Sequence, residues 1–135
     1  MRAVLDPNVI ISALLSPEGS SARLLRAWQQ GAFECIVSHA LLAELGRALA
    51  YPKLRKGIQP AEARRFLHWL AASASNAKDP DDPPPVRSAD PGDDYLIALG
   101  QNEAAALVSG DHHLLKLAGD VPVFSPAQFF DLLNA

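Results

Sequence analysis

Residues 2–15 read RAVLDPNVIISALL and contain the first strand and helix of the predicted fold. The apolar residues up to Leu5 predict a short strand, Asp6-Pro7-Asn8 a turn, and the apolar segment from Val9 to Leu15 a helix. The same order returns later, where residues 104–108 predict a buried strand and Ser109-Gly110-Asp111 leads into a short helix. In both places an acidic residue follows the end of a strand.

Predicted strands and helices alternate along the rest of the chain. Further strands are predicted at residues 33–38 and 121–124, with helices that end near Gly31, run from Ser38 to about Tyr51, and begin at Pro60. Because parallel strands need a long crossover that a helix usually supplies, this order predicts a three-layer α/β/α sandwich with a central, mainly parallel sheet. Residues 76–92 contain five prolines and predict a loop, with a short edge strand near Val86.

Length and composition narrow the class of protein. A chain of 135 residues, 49% hydrophobic and with a mean hydropathy of +0.05, is typical of one soluble globular domain. It has no apolar run near the roughly 20 residues that span a bilayer and no leader pattern, so we expect it in the cytoplasm. A single cysteine, Cys35, excludes an internal disulfide and a multi-cysteine zinc site, and its apolar neighbours predict burial.

The net charge of −3 is unevenly distributed. Residues 19–65 hold eight Lys or Arg against three Glu, whereas residues 76–111 hold eight Asp or Glu against two basic residues. A basic half and an acidic half suit a protein that attracts phosphates while concentrating cations. Solvated helix faces give the same pattern, so charge alone does not decide between these readings.

Four acids occupy positions from which they can converge. Ligands bind at the carboxyl ends of the strands in open parallel sheets, so Asp6 and Asp111 are expected at the same sheet edge. Glu44 lies among the apolar residues of the helix after Ser38, and Asp94 opens a later helix. Clustered carboxylates favour Mg²⁺ or Mn²⁺ and suit in-line phosphoryl displacement. Taken singly, these acids also fit helix caps and turns.

Four segments resemble the motifs of PIN-domain proteins, including VapC-like toxins. Residues 4–15, VLDPNVIISALL, resemble the opening motif, and residues 41–45, 90–99 and 107–111 are similar to the later acidic motifs. The resemblance covers nearly the whole chain and implies a single PIN-like domain over residues 1–135. One departure is Pro7, where the family usually has threonine or serine. Losing that hydroxyl and amide removes a hydrogen bond available near the site and can reduce or alter activity, although the four acids are intact.

The resemblance implies a metal-dependent endoribonuclease that hydrolyses RNA phosphodiester bonds, as the toxin of a type II toxin–antitoxin pair. It further implies Mg²⁺ or Mn²⁺ as cofactor, an RNA substrate, a cognate antitoxin and a homodimer, with an apolar face of the second and fourth helices available for contact. The implied catalytic and metal-binding residues are Asp6, Glu44, Asp94 and Asp111, supported by hydrogen bonds from Asn8 and Ser109. Asp93 replaces Asp94 if the register of the Asp-Asp pair is shifted by one.

Two other functions remain open at this point. One is a noncatalytic PIN-fold module that holds RNA or a protein with the basic half of the chain, although the retained acids count against it. The other is phosphoryl transfer on small molecules, which would want a second aspartate near Asp6 and a lysine after a strand. His112 and His113 directly follow Asp111, but we do not expect them to bind the metal or act as a base, because oxygen-rich Mg²⁺ sites rarely need imidazole.

Overall fold

The computed structural model describes residues 1–135 and contains a five-stranded sheet in the order β3-β2-β1-β4-β5. Every pair of neighbouring strands is parallel, and β1 lies at the centre with Val4 between Ile36 of β2 and Leu107 of β4. This confirms the predicted parallel sheet. The strands are β1 Arg2–Leu5, β2 Glu34–Val37, β3 Ser75–Asn76, β4 Ala106–Val108 and β5 Val123–Phe124.

Seven α-helices flank the sheet and supply its crossovers, which confirms the α/β/α fold class. Two short 3₁₀ turns, Pro52–Leu54 and Pro91–Asp93, precede α4 and α5. None of the helices has the length and apolar character needed to cross a membrane. The helices are α1 Pro7–Leu15, α2 Ser20–Gln29, α3 His39–Leu49, α4 Pro60–Ser73, α5 Asp94–Asn102, α6 His112–Leu115 and α7 Pro126–Leu133.

The first helix begins two residues earlier than the sequence predicted. Pro7 and Asn8 belong to α1, so the predicted turn at Asp6-Pro7-Asn8 is wrong. Proline is favoured at the first helical position because the N–H it lacks would have no partner within the helix. Asp6 is therefore the N-cap of α1, and its carboxylate accepts the backbone N–H of Asn8.

The edge of the sheet also differs from the prediction. The strand expected near Val86 is wrong, because residues 77–90 contain neither strand nor helix. The edge strand is β3, which pairs with β2 through Ile36↔Ser75 and Val37↔Asn76. Two residues are too few to show an alternating pattern, and the prolines of the following segment cannot donate hydrogen bonds to a neighbouring strand.

The core packs β1 and β2 against helices that carry candidate site residues. Leu41 and Leu45 of α3 are fully buried, and this places Glu44 at the edge of the core-facing side of the helix. Cys35 of β2 is buried as predicted, and burial raises the pKa of its thiol to about 12. At neutral pH this cysteine is a protonated packing residue.

Candidate acidic metal site

Asp6 is the most enclosed of the candidate acids, with 4% of its surface exposed at the end of β1. The backbone N–H of Asn8 donates to Oδ1 at 3.0 Å, and the hydroxyl of Ser109 donates to Oδ2 at 2.7 Å. Burial raises the pKa of Asp6, the two hydrogen bonds oppose that rise, and the charges of Glu44 and Asp111 add to it. The carboxylate is held in one orientation close to two further acids.

Ser109 joins the ends of the two central strands. Leu5 and Val108 are register partners in β1 and β4, so the residues that follow them emerge side by side. The Ser109 hydroxyl donates to Asp6 and accepts the backbone N–H of Asp111 at 2.9 Å. Asp111 itself is the N-cap of α6. The two acids predicted to share this sheet edge are therefore tied together by one buried serine.

Glu44 reaches the same region from α3 and is held by a residue that the sequence analysis missed. The hydroxyl of Tyr95, on α5, donates a hydrogen bond to the Glu44 carboxylate. Burial raises the pKa of Tyr95, and its hydrogen bond to Glu44 raises it further, so the phenol stays protonated as a donor. A tyrosine directly after the acidic pair Asp93-Asp94, at the start of the apolar run of α5, was the available signal.

The two adjacent aspartates at the start of α5 have different surroundings. Burial and the charges of Asp6, Asp90 and Asp111 raise the pKa of Asp93 to about 7, so Asp93 lies within the field of the other acids. The carboxylate of Asp94 is occupied elsewhere, accepting the backbone N–H of Ser88 at 2.7 Å.

The guanidinium of Arg87 lies 3.5 Å from the other carboxylate oxygen of Asp94. The charges of Glu44, Asp93 and Asp111 all act on the site around Asp6, and we call these four acids the acidic cluster. The structure does not bring Asp94 into the cluster, because that side chain holds the preceding loop. The sequence favours Asp94 as the fourth acid of the site, with Asp93 as the alternative. In the structure it is Asp93 that lies near Asp6 and Asp111.

The acidic cluster has no basic partner. None of its four carboxylates forms a salt bridge, and the raised pKa values of Asp6 and Asp93 reflect burial together with this uncompensated charge. No three acidic, histidine or cysteine side chains are close enough to enclose a metal ion. Carboxylate oxygens are the donors that Mg²⁺ and Mn²⁺ prefer, and both ions keep several water ligands. By its chemistry the donor set fits such an ion bound through one or two of these carboxylates, with water as the remaining ligands.

Comparison with known proteins identifies the family, since a sequence profile described as the PIN domain matches residues 2–113. The chain belongs to the PIN-domain family. A relative from Methanocaldococcus jannaschii, the uncharacterized protein MJ1680, is 30% identical over 119 residues, which cover 87% of this chain and 75% of the relative.

Solved structures share the PIN fold over nearly their full length. VapBC2 from Rickettsia felis, bound to a promoter DNA fragment, matches with a TM-score of 0.63 at 13% identity, covering 93% of this chain and 98% of that chain. VapBC-1 from nontypeable Haemophilus influenzae gives 0.63 at 13% identity, with coverage of 94% and 99%. FitAcB from Neisseria gonorrhoeae gives 0.57 at 19% identity, with coverage of 93% and 98%. At these identities the similarity establishes the fold.

Proposed function

We propose that this PIN-domain chain is a Mg²⁺- or Mn²⁺-dependent endoribonuclease that hydrolyses RNA phosphodiester bonds at the acidic cluster. The observation that carries the proposal is the pair Asp6 and Asp111 at the ends of β1 and β4, with the charges of Glu44 and Asp93 acting on it and no basic side chain to neutralise the group. None of the eight Lys and Arg residues between positions 19 and 65 forms a salt bridge, so no carboxylate neutralises the charge with which they would attract phosphates.

Each residue of the cluster has a role that its contacts suggest. A bound divalent cation supplies Lewis-acid stabilisation of the phosphate and lowers the pKa of a water. Asp6 would be the fixed ligand, oriented by the Asn8 N–H and the Ser109 hydroxyl. Tyr95 would orient Glu44. Asp93, with a pKa of about 7, would exchange a proton for the cation near neutral pH.

Pro7 does not weaken this assignment. It is buried at the first position of α1, where a backbone N–H would have no partner within the helix. Both oxygens of Asp6 already have donors in Asn8 and Ser109. We therefore expect the chain to be active without the hydroxyl that the family usually carries at this position.

The test is cleavage of a random-sequence single-stranded RNA pool by the purified chain, with single-stranded DNA of matched length beside it. We expect RNA cleavage with Mn²⁺ or Mg²⁺, none with EDTA, and none by Asp6→Asn or Asp111→Asn. Cleavage that survives in both variants would contradict the proposed site. RNA binding without cleavage under every metal condition would instead favour the noncatalytic module.

We further propose that the chain acts in the cytoplasm as the toxin of a toxin–antitoxin pair. The VapBC and FitAcB structures support a protein partner of that kind. Helices α2 and α4 offer a contact surface, where Trp69, 36% exposed, lies 5.1 Å from the buried Trp28 between ring centroids. An antitoxin or a second copy of the chain would cover this face.

Controlled expression in a bacterial host tests the toxin role. Growth should stop with the unaltered chain, continue with Asp6→Asn, and resume when the protein encoded by the neighbouring gene is co-expressed. Light scattering of the purified Asp6→Asn variant tests whether the chain forms a homodimer, for which we expect twice the mass of one chain. Equal growth with the unaltered chain and Asp6→Asn would contradict the toxin role.

A further inference from the structure

A polar cleft opens directly beside the acidic cluster. Its volume is about 350 Å³, and it lies where the starts of α1, α2 and α7 surround the turn between β4 and α6. Asp111 belongs to both the cleft and the cluster, so a ligand in the cleft touches the edge of the proposed metal site. The cleft is lined by Asn8, Val9, Ser12, Ser21, Gly110, Asp111 and Pro126.

The polar side chains of this cleft are free to bind a ligand. Asn8 and Ser12 are exposed one turn apart on the same face of α1, and Ser21 faces them from the first turn of α2. None of the three side chains forms a hydrogen bond within the protein, since Asn8 contributes only its backbone N–H to Asp6. By contrast, the Ser109 hydroxyl is fully engaged by Asp6 and Asp111.

The charge of the cleft distinguishes it from the other polar groove of the molecule. Asp111 is its one charged residue, and that charge would be offset by a cation at the cluster. The second groove, about 480 Å³ between the proline-rich segment and α5, is lined by Asp79, Asp81 and Asp82 and by a single cation, Lys78, so its charge is negative on balance. Electrostatic repulsion would keep a phosphate out of the second groove, whereas the uncharged donors of the cleft can bind one.

The shape and lining of the cleft indicate which part of a polynucleotide it would hold. No aromatic residue lines it, so it offers no platform on which a base could stack. Its volume is near the lower end of the roughly 300–1,000 Å³ typical of small-molecule sites, which suits one nucleotide unit. Hydroxyl and amide groups are frequent partners of the sugar–phosphate backbone.

We infer that this cleft binds the ribose–phosphate unit next to the scissile phosphate of a single-stranded RNA, with Ser12 and Ser21 donating hydrogen bonds to phosphate oxygens. The inference rests on the proposed nuclease function and adds a subsite to it. Because the cleft adjoins the cluster at Asp111, the bound unit would place its neighbouring phosphate beside the acids. The two serines would set substrate affinity without contributing to the metal site.

Steady-state cleavage of a fluorescent random-sequence RNA pool with Mn²⁺ tests the subsite. We expect the Ser12→Ala, Ser21→Ala double variant to raise KM about 10-fold with kcat changed less than about twofold, from the loss of two hydrogen bonds. Ser12→Leu, which fills the cleft from an exposed helix position, should raise KM further. Ser73→Leu, at an exposed serine on α4, is the matched control and should leave KM unchanged.

A second measurement separates the subsite from the metal site. The rise of the thermal midpoint with Mn²⁺ should be the same in all of these variants as in the unaltered chain. Unchanged KM in the double variant and in Ser12→Leu would overturn the subsite, as would loss of the Mn²⁺ effect in either. If the unaltered chain neither binds nor cleaves the RNA although Mn²⁺ still stabilises it, the nuclease function itself fails, and the subsite fails with it.

Discussion

The acidic cluster and the proline-rich segment at residues 77–92 both carry several carboxylates, but they use them differently. In the segment, Asp79 accepts the backbone N–H of Ala40 at 2.9 Å, and Asp90 accepts that of Gly92 at 3.0 Å. Asp94 closes the segment through its bond to the backbone N–H of Ser88. These carboxylates hold the path of a loop in which residues 77–90 form neither strand nor helix.

In the cluster, protein donors orient the carboxylates, but no basic side chain neutralises them. Burial, with the charges of neighbouring acids added to it, raises the pKa of Asp6 and of Asp93. Asp94, one residue further on, has Arg87 beside it. The number of acids in a region therefore does not identify a cation site. A cation site is indicated instead by the partners of each carboxylate. Asp93 and Asp94 are adjacent in sequence but differ in these partners.

Substituting Asp93 and Asp94 one at a time should change catalysis more than any other property. Asp93→Asn should lower kcat on RNA by more than about 100-fold, since even supporting residues of metal sites commonly cost 10–100-fold. Asp94→Asn retains an oxygen for the Ser88 N–H and should lower kcat less than about fivefold. The reverse order, with Asp94→Asn inactive and Asp93→Asn active, would contradict the assignment.

The second effect in size is on the free energy of unfolding and comes from substituting Asp94. Asp94→Ala leaves the buried N–H of Ser88 without an acceptor, which should lower the free energy of unfolding by about 1–3 kcal/mol. Asp93→Ala, which removes an unfavourable charge, should not lower it. Urea denaturation at pH 7.5 in EDTA measures both, and equal midpoints for Asp94→Ala and the unaltered chain would refute a structural role for Asp94.

A smaller effect is expected on metal affinity at Tyr95. Tyr95→Phe removes the donor that orients Glu44 and should weaken Mn²⁺ binding about 10-fold in a calorimetric titration. In a Glu44→Gln background the same change should have no further effect, because the partner has already been altered. Equal losses in both backgrounds would show that Tyr95 acts independently of Glu44.

The smallest effect is a pH dependence of the metal-free protein. The pKa of Asp93 is about 7 in the folded chain and lower when unfolded, so the unfolded state loses this proton first and stability falls as pH rises from about 4 to 7. Asp93→Asn should remove this contribution and gain stability relative to the unaltered chain between pH 5 and pH 8. A difference in urea midpoint that is independent of pH would contradict the raised pKa.

The positions of three of the four clustered acids could be predicted from the sequence, because they depend on the order of strands and helices along the chain. Asp6 and Asp111 follow buried strands, and parallel strands bring their carboxyl ends to one edge. Glu44 could be placed by its buried neighbours Leu41 and Leu45. Both arguments use only strand polarity and helical spacing, which a single sequence shows.

The choice between Asp93 and Asp94 could not be made in this way. Both lie at the start of α5, where either is a favourable helix-terminus residue. Their roles are decided by Ser88 and Arg87, which belong to a proline-rich loop whose path follows no periodic pattern. The Tyr95–Glu44 hydrogen bond likewise joins residues 51 positions apart, on two helices whose relative placement the sequence does not state.

The thermal midpoint with and without excess Mn²⁺ decides whether the acidic cluster binds a metal, and we would measure it for the unaltered chain, Asp6→Asn, Asp111→Asn and Asp94→Asn. A ligand that binds only the folded state raises the midpoint by mass action. We predict a rise for the unaltered chain and for Asp94→Asn, and none for Asp6→Asn or Asp111→Asn. No rise in the unaltered chain, together with no heat of Mn²⁺ binding in a calorimetric titration, would contradict a metal site at the acidic cluster.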